Sequence, residues 1–162
     1  MHGTPFFRCK FKIMTTVKLP KELKKKRMRN SLEIYSVIRP ILLKKDKISR
    51  DKEHLWLMIL DGANHIKNLE LIGMGTSESV RTTPMEVFSV ALHKRAVKLV
   101  IIHNHPSGNI EPSGADFELT LRLRNIGLLM GIPIIDHLVI SPDEYFSFKD
   151  DKVLWGPSQM DL

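Results

Sequence analysis

Lys98-Leu99-Val100-Ile101-Ile102-His103-Asn104-His105-Pro106-Ser107-Gly108 is the stretch on which the fold turns. A short, uninterrupted aliphatic run reads as a strand buried on both faces, and it delivers two histidines at its end. Side chains at i and i+2 of extended backbone point to the same side, so both imidazoles can reach one ion. Asp116 offers a third, oxygen ligand. Three protein ligands leave one tetrahedral position open, which is the condition for a catalytic zinc. Pro106 and Gly108 keep the following backbone clear of that position.

Outward from this strand, Leu55-Trp56-Leu57-Met58-Ile59-Leu60 is another buried run, Asp61-Gly62 turns the chain, and Ile66 to Ile72 is expected to return antiparallel beside it. Asn30 with Glu33 reads as a capping box opening a helix with Ile34, Val37, Ile38 and Ile41 on one face; Pro40 is expected to kink or end it. Residues 44–52 read as a charged connector and residues 73–82 as a polar loop. Thr83-Pro84-Met85-Glu86 combines an N-cap hydroxyl, a proline at the first helical position and a Glu that reaches back, so a helix is expected to about Arg95. Ser113 begins a further helix with Leu119, Leu123, Ile126 and Met130 at helical spacing, stopped by Gly127 or Gly131. Residues 132–135 and 138–140 read as strand, and 145–148 as a last strand. Helices interleaved with strands, plus one hairpin, predict an α/β sandwich: a mixed β-sheet flanked by helices.

The formal net charge of +7 is unevenly placed. Residues 1–30 hold ten Lys/Arg and one acid, so the remaining 132 residues carry fifteen bases and seventeen acids. This basic N-terminal tail is expected to be a poorly ordered, solvated arm, and it alone suits weak, salt-sensitive nucleic-acid contact. Residues 31–162 are expected to form the domain. Cys9 is the only cysteine, which excludes an intrachain disulfide. With no signal-peptide core and no stretch near the ~20 apolar residues that span a bilayer, a cytoplasmic protein with no membrane association is expected. Met14 offers an alternative translation start.

A zinc hydrolase also needs a base to take a proton from the activated water. Glu53, Glu86, Glu111 and Asp136 are the candidates. Glu86 is explained by its helix cap and Glu111 lies in the loop between ligands, so Glu53, at the start of a buried strand beside the histidine strand, is favoured. Ser113 and Asp116 also form an [ST]-x-x-[DE] capping box, which is compatible with ligation because the helix dipole stabilises negative charge there.

Together these residues resemble the JAB/MPN (JAMM-motif) metalloprotease superfamily, whose signature is a distant Glu followed by H-x-H-x(7)-S-x-x-D, here Glu53, His103, His105, Ser113 and Asp116. The wording of residues 103–108, Glu111-Pro112-Ser113 and residues 136–140 is similar to the RadC-type branch, as is Thr83 to Phe88. The resemblance implies a cytidine-deaminase-like sandwich with one Zn²⁺ per chain on His103, His105 and Asp116. It also implies Glu53 as general base, Ser113 as donor to the oxyanion, and a peptide or isopeptide substrate. Full-length relatives carry an N-terminal helical DNA-binding module, and the first 52 residues here are too few to contain it. The alternative is a DNA-associated accessory protein that keeps the metal site without turnover.

Overall fold

The two uninterrupted apolar runs lie at the middle of a six-stranded sheet. A computed structural model describes residues 15–75, 82–152 and 154. Cys9, Met14 and residues 76–81 of the expected polar loop fall outside these. In chain order the elements are β1 (Thr15–Thr16), α1 (Lys21–Lys24), α2 (Ser31–Leu43), α3 (Lys47–Arg50), β2 (His54–Leu60), β3 (Ile66–Met74), α4 (Pro84–His93), β4 (Lys98–Asn104), α5 (Gly114–Leu129), β5 (Ile134–Ile140) and β6 (Tyr145–Ser147). The strand order is β1-β3-β2-β4-β5-β6. Among the described strands only β4 and β5 are parallel. A parallel pair needs a crossover, and α5 supplies it.

Alternate residues of the central strands feed two separate cores, which is why those runs are apolar throughout. Trp56, Met58, Leu60, Val100 and Ile102 pack with Ile34, Ile38 and Leu42 of α2. Leu55, Leu57, Ile59, Leu99 and Ile101 pack with Val87 and Ala91 of α4 and Leu123 of α5. The mixed sheet is therefore covered on both faces by helices, the α/β architecture expected. Among the described residues no helix is long and apolar enough to cross a membrane.

Several boundaries differ from the expectation. Strand β4 continues two residues past its aliphatic run, so His103 and Asn104 lie within the sheet, paired to Val139 and Ile140. Strand β5 is continuous where two fragments were expected, because β4 and β6 pair along its flanks. Helix α2 runs through Pro40 to Leu43. Pro40 and Ser36, whose carbonyl loses its partner to the proline, are both exposed, so the break faces solvent. Asn30 caps Glu33 N as expected, but the Glu33 carboxylate accepts from Arg29 N instead of the Asn30 amide. The charged connector contains α3, capped by Asp46 on Ser49 N. Helix α5 passes through Gly127 and ends before Gly131, whose φ of +67° suits glycine. Residues 15–30 lie against the sheet edge: β1 pairs with β3, Met28 is buried, and Val17, Leu19 and Leu23 pack on the α2-side core. Thr16 Oγ1 donates to the buried Glu70 carboxylate at 2.8 Å, and Lys94 Nζ pairs with the same group at 3.2 Å.

Candidate metal centre

The antiparallel register of β2 and β4 sets Leu55 opposite His103. Continued outward, it puts Glu53 opposite His105, on the sheet face that α5 covers. The intervening Asn104 points to the other face, where its side chain accepts from His54 N at 2.9 Å and donates to Lys52 O at 3.1 Å. Asn104 thus grips the backbone on both sides of Glu53. A further bond from Gly75 N to Glu53 O, 2.9 Å, holds it from β3. Glu53 is buried, 8% exposed.

Helix α5 brings the third ligand candidate across the same face. Ser113 and Asp116 form the reciprocal cap: Ser113 N and Oγ donate to Asp116 Oδ2 at 2.8 and 2.7 Å, and Asp116 N donates to Ser113 Oγ at 3.2 Å. The ligand atoms of His103, His105 and Asp116 all lie within 4.8 Å of one another. Asp116 Oδ1 is 3.2 Å from His103 Nε2 and Oδ2 is 3.4 Å from His105 Nε2. Donors held about 2.0–2.1 Å from a tetrahedral zinc lie about 3.3 Å apart, so these separations fit the ion. The two Nε2 atoms are somewhat closer, at 2.9 Å.

Proton positions can be assigned along a buried chain behind His103. Thr120 Oγ1 donates to the Asp116 carbonyl at 2.5 Å, which fixes the hydroxyl proton. His137 Nδ1, 2.6 Å from the same oxygen, must then be the protonated nitrogen. His137 Nε2 is left to accept from His103 Nδ1, at 2.8 Å. Burial pushes His137 well below the ordinary histidine range, reinforced by His103, so it is a neutral relay. Its ring stacks on Phe148 with centroids 5.0 Å apart. On the other ligand, His105 Nδ1 donates to Asn109 O at 2.7 Å. With both Nδ1 atoms donating, neutral His103 and His105 would each aim an Nε2 lone pair at one point beside Asp116; without a cation there, a proton on Nε2 bonds to the Asp116 carboxylate in its place.

The Asp116 hydrogen bond holds His105 above the ordinary histidine range against the opposing effect of burial, with added pull from Asn109 and the charges of Asp116 and Glu53. Burial would raise Asp116, but hydrogen bonds from His103, His105 and Ser113 hold it well below the usual carboxylate range. The residues fit a divalent cation that takes nitrogen and carboxylate ligands, zinc above all.

The other base candidates lie elsewhere. The Glu86 carboxylate is bonded to Thr83 N at 2.7 Å in its helix cap, and Glu111 is exposed. Asp136 pairs with Val100 and is bonded by Ser147 Oγ, Lys149 N and His137 N. The residues that sequence reading missed are His137, Thr120 and Asn104. Thr120 carried one usable signal, its position one helical turn after Asp116.

Comparison with known proteins places the chain. The family described as the RadC-like JAB domain matches residues 28–153. The UPF0758 protein of Chlorobaculum parvum is 38% identical over 103 residues, 64% of this chain and 46% of that protein. That of Finegoldia magna is 41% identical over 101 residues, 62% and 45% respectively. The UPF0758 protein alr2351 of Nostoc sp. is 33% identical over 114 residues, 70% and 47%. The chain thus spans about half the length of these curated relatives.

Proposed function

This chain belongs to the RadC-like JAB domain family, and from that premise we propose that it is a zinc-dependent hydrolase of the JAMM type acting on an amide or isopeptide bond in the cytoplasm. The observation that carries the reading is the convergence of two imidazole lone pairs and a carboxylate on one point, each held by a hydrogen bond behind it. Zinc bound there would supply a Lewis acid and lower the pKa of a water to about 7. Glu53 would accept a proton from the attacking water and pass it to the leaving amine. Its charge stays close to His105, and Asn104 holds its strand in register. Ser113 Oγ, bonded to Asp116 here, would donate to the oxyanion, where a placed donor acts on developing charge.

The test is metal content followed by turnover. The purified full chain is expected to hold one zinc, and His103→Ala or Asp116→Ala to hold none. Glu53→Gln should keep zinc and lose about 100-fold or more in hydrolysis of a fluorogenic isopeptide, the usual contribution of a general base. A wild-type protein that takes up no zinc on titration would overturn the reading. A second reading, a nucleic-acid-associated accessory protein without turnover, draws on the net +9 of residues 1–30. Zinc loading without hydrolysis, together with salt-dependent retention on DNA that is lost when Lys18, Lys21, Lys24, Lys25, Lys26, Arg27 and Arg29 are replaced by glutamine, would favour it.

A further inference from the structure

On the face of the sheet opposite the metal centre, a cavity of about 270 Å³ separates α3 from the loops that follow β4 and β5. Leu42 of the α2-side core, Pro106 and Pro142 give it apolar walls, and Lys47, Arg50 and Asp51 supply its charges. A third cation borders it, because Arg39 Nε donates to the Pro142 carbonyl at 2.5 Å. Among the described residues, no carboxylate lies within ion-pair distance of Lys47 or Arg50. Arg50 is half-buried, and a cation withdrawn from water without a counter-charge is costly. Three cations against Asp51 leave two positive charges uncompensated around one concave space.

We infer that this cavity is an effector site for a small phosphate monoester, held on the α2 side of the sheet and apart from the reacting bond. A phosphate monoester carries about −1.5 to −2 charge at neutral pH, which matches the surplus, and guanidinium pairs with phosphate oxygens in bidentate geometry. Leu42, Pro106 and Pro142 offer apolar surface to the organic part. The volume lies just below the roughly 300–1,000 Å³ of small-molecule sites, so it suits a small metabolite. Occupancy has a route to Glu53. Lys47, Arg50 and Asp51 closely precede Glu53 in the chain, and the lining residue Asn104 bonds the backbone on both sides of it, through His54 N and Lys52 O. A phosphate that clamps α3 to the loop after β4 therefore steadies the segment that carries Glu53. The binding itself does not depend on the hydrolase reading.

Titration calorimetry on the full chain, with and without zinc, should compare phenyl phosphate, inorganic phosphate and benzoate. Phenyl phosphate is expected to bind most tightly, and equally well in both metal states. Arg50→Gln should weaken it about tenfold or more, the loss of a charge-assisted hydrogen bond, whereas Arg50→Lys keeps part of the affinity. Asp51→Asn should tighten it, because that carboxylate opposes the anion. In hydrogen exchange the ligand should slow the amides of residues 47–54, with zinc content unchanged. Phenyl phosphate binding that requires zinc, or that survives Arg50→Gln, would overturn the site by placing the ligand elsewhere. So would inorganic phosphate or benzoate binding as tightly as the ester, since the first dispenses with the apolar walls and the second with the dianion. Binding that leaves exchange at His54 unchanged would overturn the effector role. A chain that shows all these effects but never hydrolyses an isopeptide would support the site while refuting the hydrolase.

Discussion

His137 shows how much one buried side chain contributes to a centre it never touches directly. With Nδ1–H committed to Thr120, it can only accept from His103, which leaves the His103 Nε2 lone pair free for a metal. Substitution by Phe keeps the ring and its contact with Phe148 but removes the acceptor, so His103 can adopt the wrong tautomer. We expect His137→Phe to lower zinc affinity about 10–100-fold, the usual cost of a lost outer partner, in chelator competition on folded protein. Unchanged affinity would show that the imidazole orients itself without help. Asn104 acts similarly on Glu53, through backbone rather than side chain, and so the middle residue of H-x-H has a task of its own.

Helix α5 carries Asp116 and Thr120 at one end and depends on close packing at the other. A Cβ at Gly127 would stand 2.6 Å from Ile132 O, a backbone atom with little room to retreat. Gly127→Ala gains up to about 1 kcal/mol of helix propensity and loses about 1–3 kcal/mol to overpacking. We expect a net fall in Tm, measured by circular dichroism; a rise would mean that the helix shifts freely. The β5–β6 pair holds a different constraint. Burial raises Asp136 to about 7 although Ser147 Oγ and the amides of Lys149 and His137 favour its ionised form. The unfolded carboxyl titrates near about 3.9, so between these values the folded state binds more protons and stability falls as pH rises. Each unit is worth at most about 1.4 kcal/mol. Asp136→Asn is therefore expected to flatten the decline in Tm from pH 4 to 7 relative to wild type, and parallel curves would refute it.

Across the whole molecule, the basic segment and the domain are less separable than their charges imply. Met28, 3% exposed, packs in the same core as α2 and β2, so Met28→Ala should cost about 2–5 kcal/mol in denaturant unfolding. A cost below about 0.5 kcal/mol, normal for a surface site, would return residues 15–30 to the status of a loose arm. Such contacts were hard to read because Val17, Leu19, Leu23 and Met28 are scattered among lysines, and a scattered apolar set declares its face only once a partner surface exists. The strands and caps were legible because their signals are local: unbroken aliphatic runs, Thr83 with Glu86, Ser113 with Asp116. The spacing of His103, His105 and Asp116 was legible for the same reason, and Glu53 was singled out as the candidate base from its place at a strand start. His137 and Thr120 were not, since the bonds that define them join residues 34 and 17 positions apart. By itself the sequence determined a mixed α/β sandwich and a three-residue group able to hold a metal, because periodicity and short spacings survive in a one-dimensional string. Only the tertiary structure decided which nitrogens carry protons, where Glu53 stands, and that a cationic cavity lies beside His105. Those properties belong to pairs of distant residues, and only the sheet register and the docking of α3 and α5 bring them together.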